Sequence, residues 1–181
     1  MTGWIIIGAI VLLVLYVIVI YNGLIRLKVR VQNAWSQIDN QLKRRNDLIP
    51  NLIETVKGYA KHEKELFEQV TEARARSMGG NIHEQAEASD ELSKGISKII
   101  AVGEAYPELK ASENFGKLQI ELVGTEDKIA FARQFYNDSV QMFNQKIMMF
   151  PTNIIANMLG FKAKEFFQVD EKEKQNVKVK F

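Results

Sequence analysis

Arg45 stands on a helical stripe that is otherwise apolar, between Ile38, Leu42 and Ile49, with Gln41, Asp47, Asn51 and Glu54 close to it in sequence. Further along, Glu126 and Arg133 share one face of a helix seven residues apart, with Asn137 one turn beyond. A charge on a core-facing position must be paired and hydrogen-bonded, or its desolvation is strongly destabilising. A planar guanidinium facing a carboxylate on a neighbouring helix meets that need. These residues read as a polar network that sets helix register or, in a sharper reading, as a pocket for a ligand or ion. Glu54 and Glu126 are also of the type that does acid–base work.

The usual constellations of catalysis are missing. Three positions before His62 and His83 stand Tyr59 and Gly80, so neither makes the Glu-x-x-His pair of a di-iron bundle. His62-Glu63 and His83-Glu84 start like H-E-x-x-H, but no second His follows. There is no phosphate loop of the G-x-x-x-x-G-K-S/T type and no G-x-S-x-G elbow. With no Cys there is no thiol nucleophile, disulfide, zinc–thiolate site or lipidated Cys. The expectation is a non-enzyme with no catalytic residue, no metal and no cofactor.

The scaffold for these side chains is expected to start in a membrane. No charged residue precedes Arg26, and Trp4 to Tyr21 reads WIIIGAIVLLVLYVIVIY. At 1.5 Å per residue that run spans about 27 Å, close to a bilayer's hydrocarbon thickness. Trp4 and Tyr21 suit its two interfaces, and Arg26, Lys28 and Arg30 follow as flanking cations. A cleaved signal peptide would need a basic start and a small-residue cleavage site, and neither is present. The expectation is a retained single-pass anchor in the cell (inner) membrane, N-terminus outside and the bulk of the chain cytoplasmic. The net charge of +2, from 24 Lys+Arg and 22 Asp+Glu, gives no argument for nucleic acid.

Beyond the anchor the pattern is helical. Leu24, Leu27, Val31, Trp35, Ile38 and Leu42 step by three or four, and the stripe resumes at Ile49, Ile53, Val56, Ala60, Phe67 and Val70. Pro50 and Asp47 admit either a kink or a hairpin turn. The unbroken phase through Arg45 and Ile49 favours one long kinked rod reaching Ser77. Met78-Gly79-Gly80-Asn81 reads as a turn, Ile82 to Tyr106 as a helix, and Pro107 to Phe150 as another. The fold class is therefore all-α: a transmembrane helix followed by an elongated antiparallel four-helix-type bundle. Its parts are a short external N-terminus (1–3), the span (4–21), the bundle (22–150), and a short amphipathic helix with an extended tail (151–181).

Four blocks carry a family resemblance: YNGLIRLKVRVQNAWSQIDNQLKRRNDLIPNLIETVKGYAKHE, GEAYPELKASENF, ELVGTEDKIAFARQFYNDSV and FPTNIIANMLGFKAKEFF. In this order they resemble the LemA family of bacterial membrane proteins. That resemblance implies an N-terminal anchor, a cytoplasmic helical bundle and no enzyme activity. It also implies kinship with proteins implicated in building membrane compartments, and with others linked to membrane quality control and envelope stress. The family's polar positions, carried over, fall on Gln41, Arg44, Arg45, Asp47, Asn51, Glu54, Glu126, Arg133, Tyr136 and Asn137. At Asn46 the chain departs from relatives with His, which weakens a metal or proton-responsive role there.

Two functions compete at this level. One is a scaffold that self-associates and organises membrane or membrane-protein partners, the lipid bilayer and a second copy of the chain being the first of these. The other is a signal- or ligand-responsive sensor hinged at Pro50. The tail adds a docking candidate: Phe161, Phe166 and Phe167, then the alternating Val177, Val179 and Phe181, read as a segment for a partner's groove.

Overall fold

The computed structural model describes residues 1–168, and every regular element among them is helical. The helices are α1 (Thr2–Lys57), α2 (Lys64–Ser77), α3 (Ile82–Glu104), α4 (Pro107–Lys110), α5 (Glu113–Met148) and α6 (Thr152–Met158). The chain divides into two compact units. One comprises Met1–Ser36 and Gln134–Glu165; the other comprises Gln37–Arg133 and, among the described residues, 166–168. Val177, Val179 and Phe181 lie outside the described residues.

The unit built on Gln37–Arg133 is an antiparallel four-helix bundle. Its walls are the later part of α1, then α2, α3 and the earlier part of α5. Ile49, Leu52, Val56, Phe67, Leu92, Ile96, Ile99 and Phe115 fill its centre, joined by Leu109 from the single turn of α4. The direction of each wall shows in its contacts. Asn46 bonds to Ser77 at the far end of α2, and Arg76 pairs with Glu91 across α2 and α3. Asp90 meets Arg133 while Glu104 meets Gln119, so α3 and α5 also run oppositely.

The sequence signals explain the turns. Asn81 caps α3 by accepting from Glu84 N–H at 2.9 Å, while Glu84 accepts from Asn81 N–H at 3.2 Å. Gly80 before it takes φ 87°, a left-handed turn position that glycine occupies without strain. The long rod to Ser77 is not what forms: α1 ends at Lys57 and the chain doubles back into α2. Between Ala60 and Phe67 the core-facing positions hold no large apolar side chain apart from half-buried Leu66. Gly58 lowers the helical tendency at the reversal, and folding α2 back buries Phe67 and Val70 beside Val56. Pro50 is inside α1, so it makes neither a hairpin nor a helix end. The helix expected from Pro107 is also interrupted, after Lys110. This lets both Leu109 and Phe115 reach the core, and α5 restarts with Ser112 accepting from Gly116 N–H.

In the unit built on Met1–Ser36 and Gln134–Glu165, α1 begins with every side chain through Val19 exposed. Among the described residues α1 alone is long and apolar enough to cross a membrane, by length and composition. Ile20 and Leu24 are its first buried residues, packing with Ala156 of α6 and with Ile147, Ile155 and Phe161. Further on, Trp35 meets Tyr136 of α5 edge to face, with ring centroids 5.4 Å apart. Gly160 closes α6 at φ 71°, and Phe161 N–H returns to the Ala156 carbonyl at 2.9 Å. The Phe150–Pro151 peptide is cis.

Candidate functional site

The polar centre of the four-helix unit is Arg45, whose side chain is fully buried. It lies on the same α1 stripe as Leu42 and Ile49, so helical geometry turns it inward with them. Its Nη1 donates to Glu126 Oε1 at 3.1 Å, to Ser93 Oγ at 3.0 Å and, more distantly, to the Ser89 carbonyl at 3.4 Å. Nη2 donates to Ser89 Oγ at 3.0 Å. Ser93 Oγ in turn donates to Glu126 Oε2 at 2.7 Å, so arginine, carboxylate and hydroxyl close a ring. Burial draws the guanidinium below its ordinary pKa, opposed by the Glu126 charge and its hydrogen bond, and by Asp90. The Nε atom has no hydrogen-bond partner among the described residues.

A second polar cluster answers a backbone problem. Pro50 has no N–H, so the carbonyl four residues earlier, at Asn46, loses its helical donor. Arg74 Nε from α2 donates to that carbonyl at 2.8 Å. The Asn46 side chain, itself buried, bonds to Ser77 at 3.2 Å. A proline inside α1 is thereby tolerated because α2 folds back and supplies the missing donor.

Arg133 serves neither cluster. It donates through Nη1 to Asp90 at 2.7 Å and through Nε to the Phe167 carbonyl at 3.0 Å, with the Phe167 ring 5.5 Å from its guanidinium carbon. In the other unit, Tyr136 OH donates to the Glu165 carbonyl at 2.9 Å. Burial, with Glu165 as a lesser cause, pushes that phenol up to about 12. Asn144 Nδ2 donates to the Lys164 carbonyl at 2.9 Å and Asn144 Oδ1 accepts from Lys164 N–H at 2.8 Å. These contacts hold residues 161–168 on their own chain.

The structure brings Arg45 and Glu126 together and separates several of their expected companions. Asp47, Asn51 and Glu54 are exposed. They sit roughly half a helical turn away from Arg45, too far round α1 to join it. Glu54 and Glu126 therefore form no carboxylate pair. Arg44 is a surface residue 3.7 Å from Glu121. Gln41 is half-buried, with no hydrogen-bond partner for its Oε1 among the described residues. Asn137 is half-buried. Sequence reasoning missed Ser89, Asp90 and Ser93 on α3, and Arg74 and Ser77 on α2. The serine pair carried a signal: polar residues four apart beside Leu92 and Ile96 on an apolar stripe.

Of the expected docking phenylalanines that are described, Phe161 and Phe167 are used within the chain. Phe161 lies between Tyr21 and Phe143, at centroid distances of 6.4 and 6.3 Å, and Phe167 is fully buried. Among the described ones, Phe166 remains exposed. The expected interface residues Trp4, Arg26, Lys28 and Arg30 are also exposed, with Arg30 5.3 Å from the Phe135 ring centre. Among the described residues no three His, Cys, Asp or Glu side chains are grouped as metal ligands.

Among the described residues the fold is all-helical, with one helix of membrane-crossing length and a bundle closed around a buried arginine. A profile of the LemA family matches residues 34–181, and the chain belongs to that family. It is 31% identical over 160 residues to Protein LemA of Metamycoplasma hominis, covering 86% of this chain and 72% of the relative. It is 25% identical over 175 residues to Magnetosome protein MamQ 2 of Paramagnetospirillum magneticum, covering 82% of this chain and 64% of the relative. Magnetosome protein MamQ of Magnetospirillum gryphiswaldense is similar at 24% identity, covering 81% and 64% of the two chains. The chain thus spans just under two thirds of the length of these magnetosome proteins.

Proposed function

We propose that this chain is a membrane-anchored, non-enzymatic scaffold that associates with copies of itself and organises membrane or membrane-protein partners. The first turns of α1 supply the anchor, and Arg26, Lys28 and Arg30 favour the cytoplasmic side of an inner membrane for the residues that follow. Three of the family relatives bear the name of a magnetosome protein, and we extend that membrane association to the present chain.

Self-association is carried by one observation. On α5, Ile120 is 74% exposed and Phe131 73% exposed, and Val123 between them is also exposed. Their spacing sets all three on one side of the helix. The opposite side of the same stretch, with Leu122 and Ile129, fills the core. A helix apolar on two sides has a second surface to bury, and a matching stripe on another copy is an occupant of the right chemistry. The test is to measure the mass of full-length protein in detergent, and of the Ile120→Glu/Phe131→Glu variant. The expected result is an oligomer that the double substitution converts to monomer with unchanged helix content. A natural chain that is monomeric throughout would sink the scaffold.

The sensor reading draws less support. Its hinge was to be Pro50, and the carbonyl that a flexing proline would release is held by Arg74.

A further inference from the structure

The end of α5, the turn after it and α6 carry an apolar surface that the anchor does not account for. Met148, Met149, Phe150, Ile154, Met158 and Leu159 are 50–81% exposed. They cluster within one short stretch of the Met1–Ser36/Gln134–Glu165 unit. Soluble proteins seldom leave so many large apolar side chains together in water.

Their level relative to the lipid follows from helix geometry. Trp35 of α1 meets Tyr136 of α5, and because the two helices are antiparallel, α1 traced backward and α5 traced forward climb the same way by 1.5 Å per residue. Eleven residues from that contact, Ile147 falls level with Leu24, and the two indeed belong to one packed cluster. One residue more brings Met148, the last residue of α5, level with Gly23, two residues from Tyr21 at the end of the apolar run. Phe161 lies against Tyr21 as well. The exposed cluster therefore sits beside the point where α1 leaves the hydrocarbon.

Charge agrees with this placement. This unit contains Arg26, Lys28, Arg30, Lys146, Lys162 and Lys164, against the carboxylates of Asp138 and Glu165 alone. From Ser139 to Lys164 there is no acidic residue at all. Apolar side chains rimmed by cations match the boundary between acyl chains and anionic headgroups.

We infer that the α5–α6 turn is a second membrane contact: the side chains from Met148 to Leu159 insert into the headgroup–acyl boundary of the same leaflet that α1 leaves. The occupant of this surface is lipid. The inference rests on α1 being a membrane anchor, and it adds a monotopic foot beside the span.

Because the chain contains no Cys, single-site spin labelling is free of background. Full-length Leu12→Cys, Met78→Cys, Phe150→Cys and Met158→Cys proteins, each spin-labelled, are reconstituted into phosphatidylethanolamine/phosphatidylglycerol vesicles. Collision with oxygen, which partitions into lipid, and with a water-soluble nickel chelate is then measured. Position 12 calibrates the span, and position 78, in the exposed turn before α3, calibrates water. Labels at 150 and 158 are expected to be severalfold more oxygen-accessible and nickel-shielded than the label at 78. Labels at 150 and 158 that behave like 78, while 12 is in lipid, overturn the foot and leave the anchor standing. Labels at 150 and 158 shielded from both reagents would mean a second protein copy covers the surface, which also overturns it. A water-exposed label at 12 overturns the foot and the anchor together.

Discussion

At the residue scale, the informative side chains are those that cannot be left alone. Arg45 is fully enclosed, and Glu126 and the two serines are what make its charge tolerable. Truncation of the arginine strands a carboxylate and opens a void. Arg45→Ala is expected to cost about 3–5 kcal/mol in urea denaturation of the detergent-solubilised protein. Replacing both members, as Arg45→Met/Glu126→Leu, removes the stranded charge and is expected to recover most of that loss. A double variant as unstable as the single one would show that the pair does more than fill and neutralise. Tyr136 makes a different demand. Its folded pKa, raised to about 12, lies above the unfolded value near 10. Its contribution is therefore complete below about pH 10 and declines as pH rises toward 12. Subtracting the stability of Tyr136→Phe from that of the natural protein across pH 9–12 should give a difference that falls over this window; a flat difference would contradict the assignment.

At the element scale, α1 and α2 are linked by a proline and an arginine that compensate one another. Arg74→Met leaves the Asn46 carbonyl without a donor and is expected to cost about 1–2 kcal/mol. In a Pro50→Ala background the alanine N–H supplies that donor, so the same change should cost distinctly less. A double-mutant cycle in urea measures the coupling directly. The same elements show what was legible in advance. Stripe spacing located α3 closely, and the Met78-Gly79-Gly80-Asn81 turn was readable from its glycine pair. Helix continuity through Pro50 was also legible from the phase of Arg45 and Ile49. The fold-back at Gly58 was not, because periodicity reports which face is apolar and not where a long helix reverses. The partners of Arg45 and Arg133 were only half legible. Glu126 could be read from its own stripe and the Ser89/Ser93 pair from its i,i+4 spacing beside Leu92 and Ile96, whereas the pairing of Asp90 with Arg133 depends on a register between α3 and α5 that no local pattern encodes.

At the scale of the whole molecule, surface and not core separates the functional readings. The exposed stripe of Ile120, Val123 and Phe131 and the exposed cluster from Met148 to Leu159 occur in different units, and each answers to its own test. The charged substitutions at Ile120 and Phe131 touch nothing buried. The variant should therefore match the natural protein in circular dichroism and lose only its partner copies, a separation that a core defect would not produce. The family relationship covers most of the chain but just under two thirds of the magnetosome relatives, so what those longer proteins do has to be tested here on its own terms.

The way Asn144 grips Lys164 has a consequence for mutational tolerance. Both bonds go to main-chain atoms, as does the bond from Tyr136 to Glu165. The gripped stretch is thus recognised by its peptide groups, whatever side chains it carries. Any residue but proline at 164, and a wide choice at 165, would still make these bonds, whereas Asn144 has no such latitude: aspartate lacks its donor, and glutamine is a methylene too long.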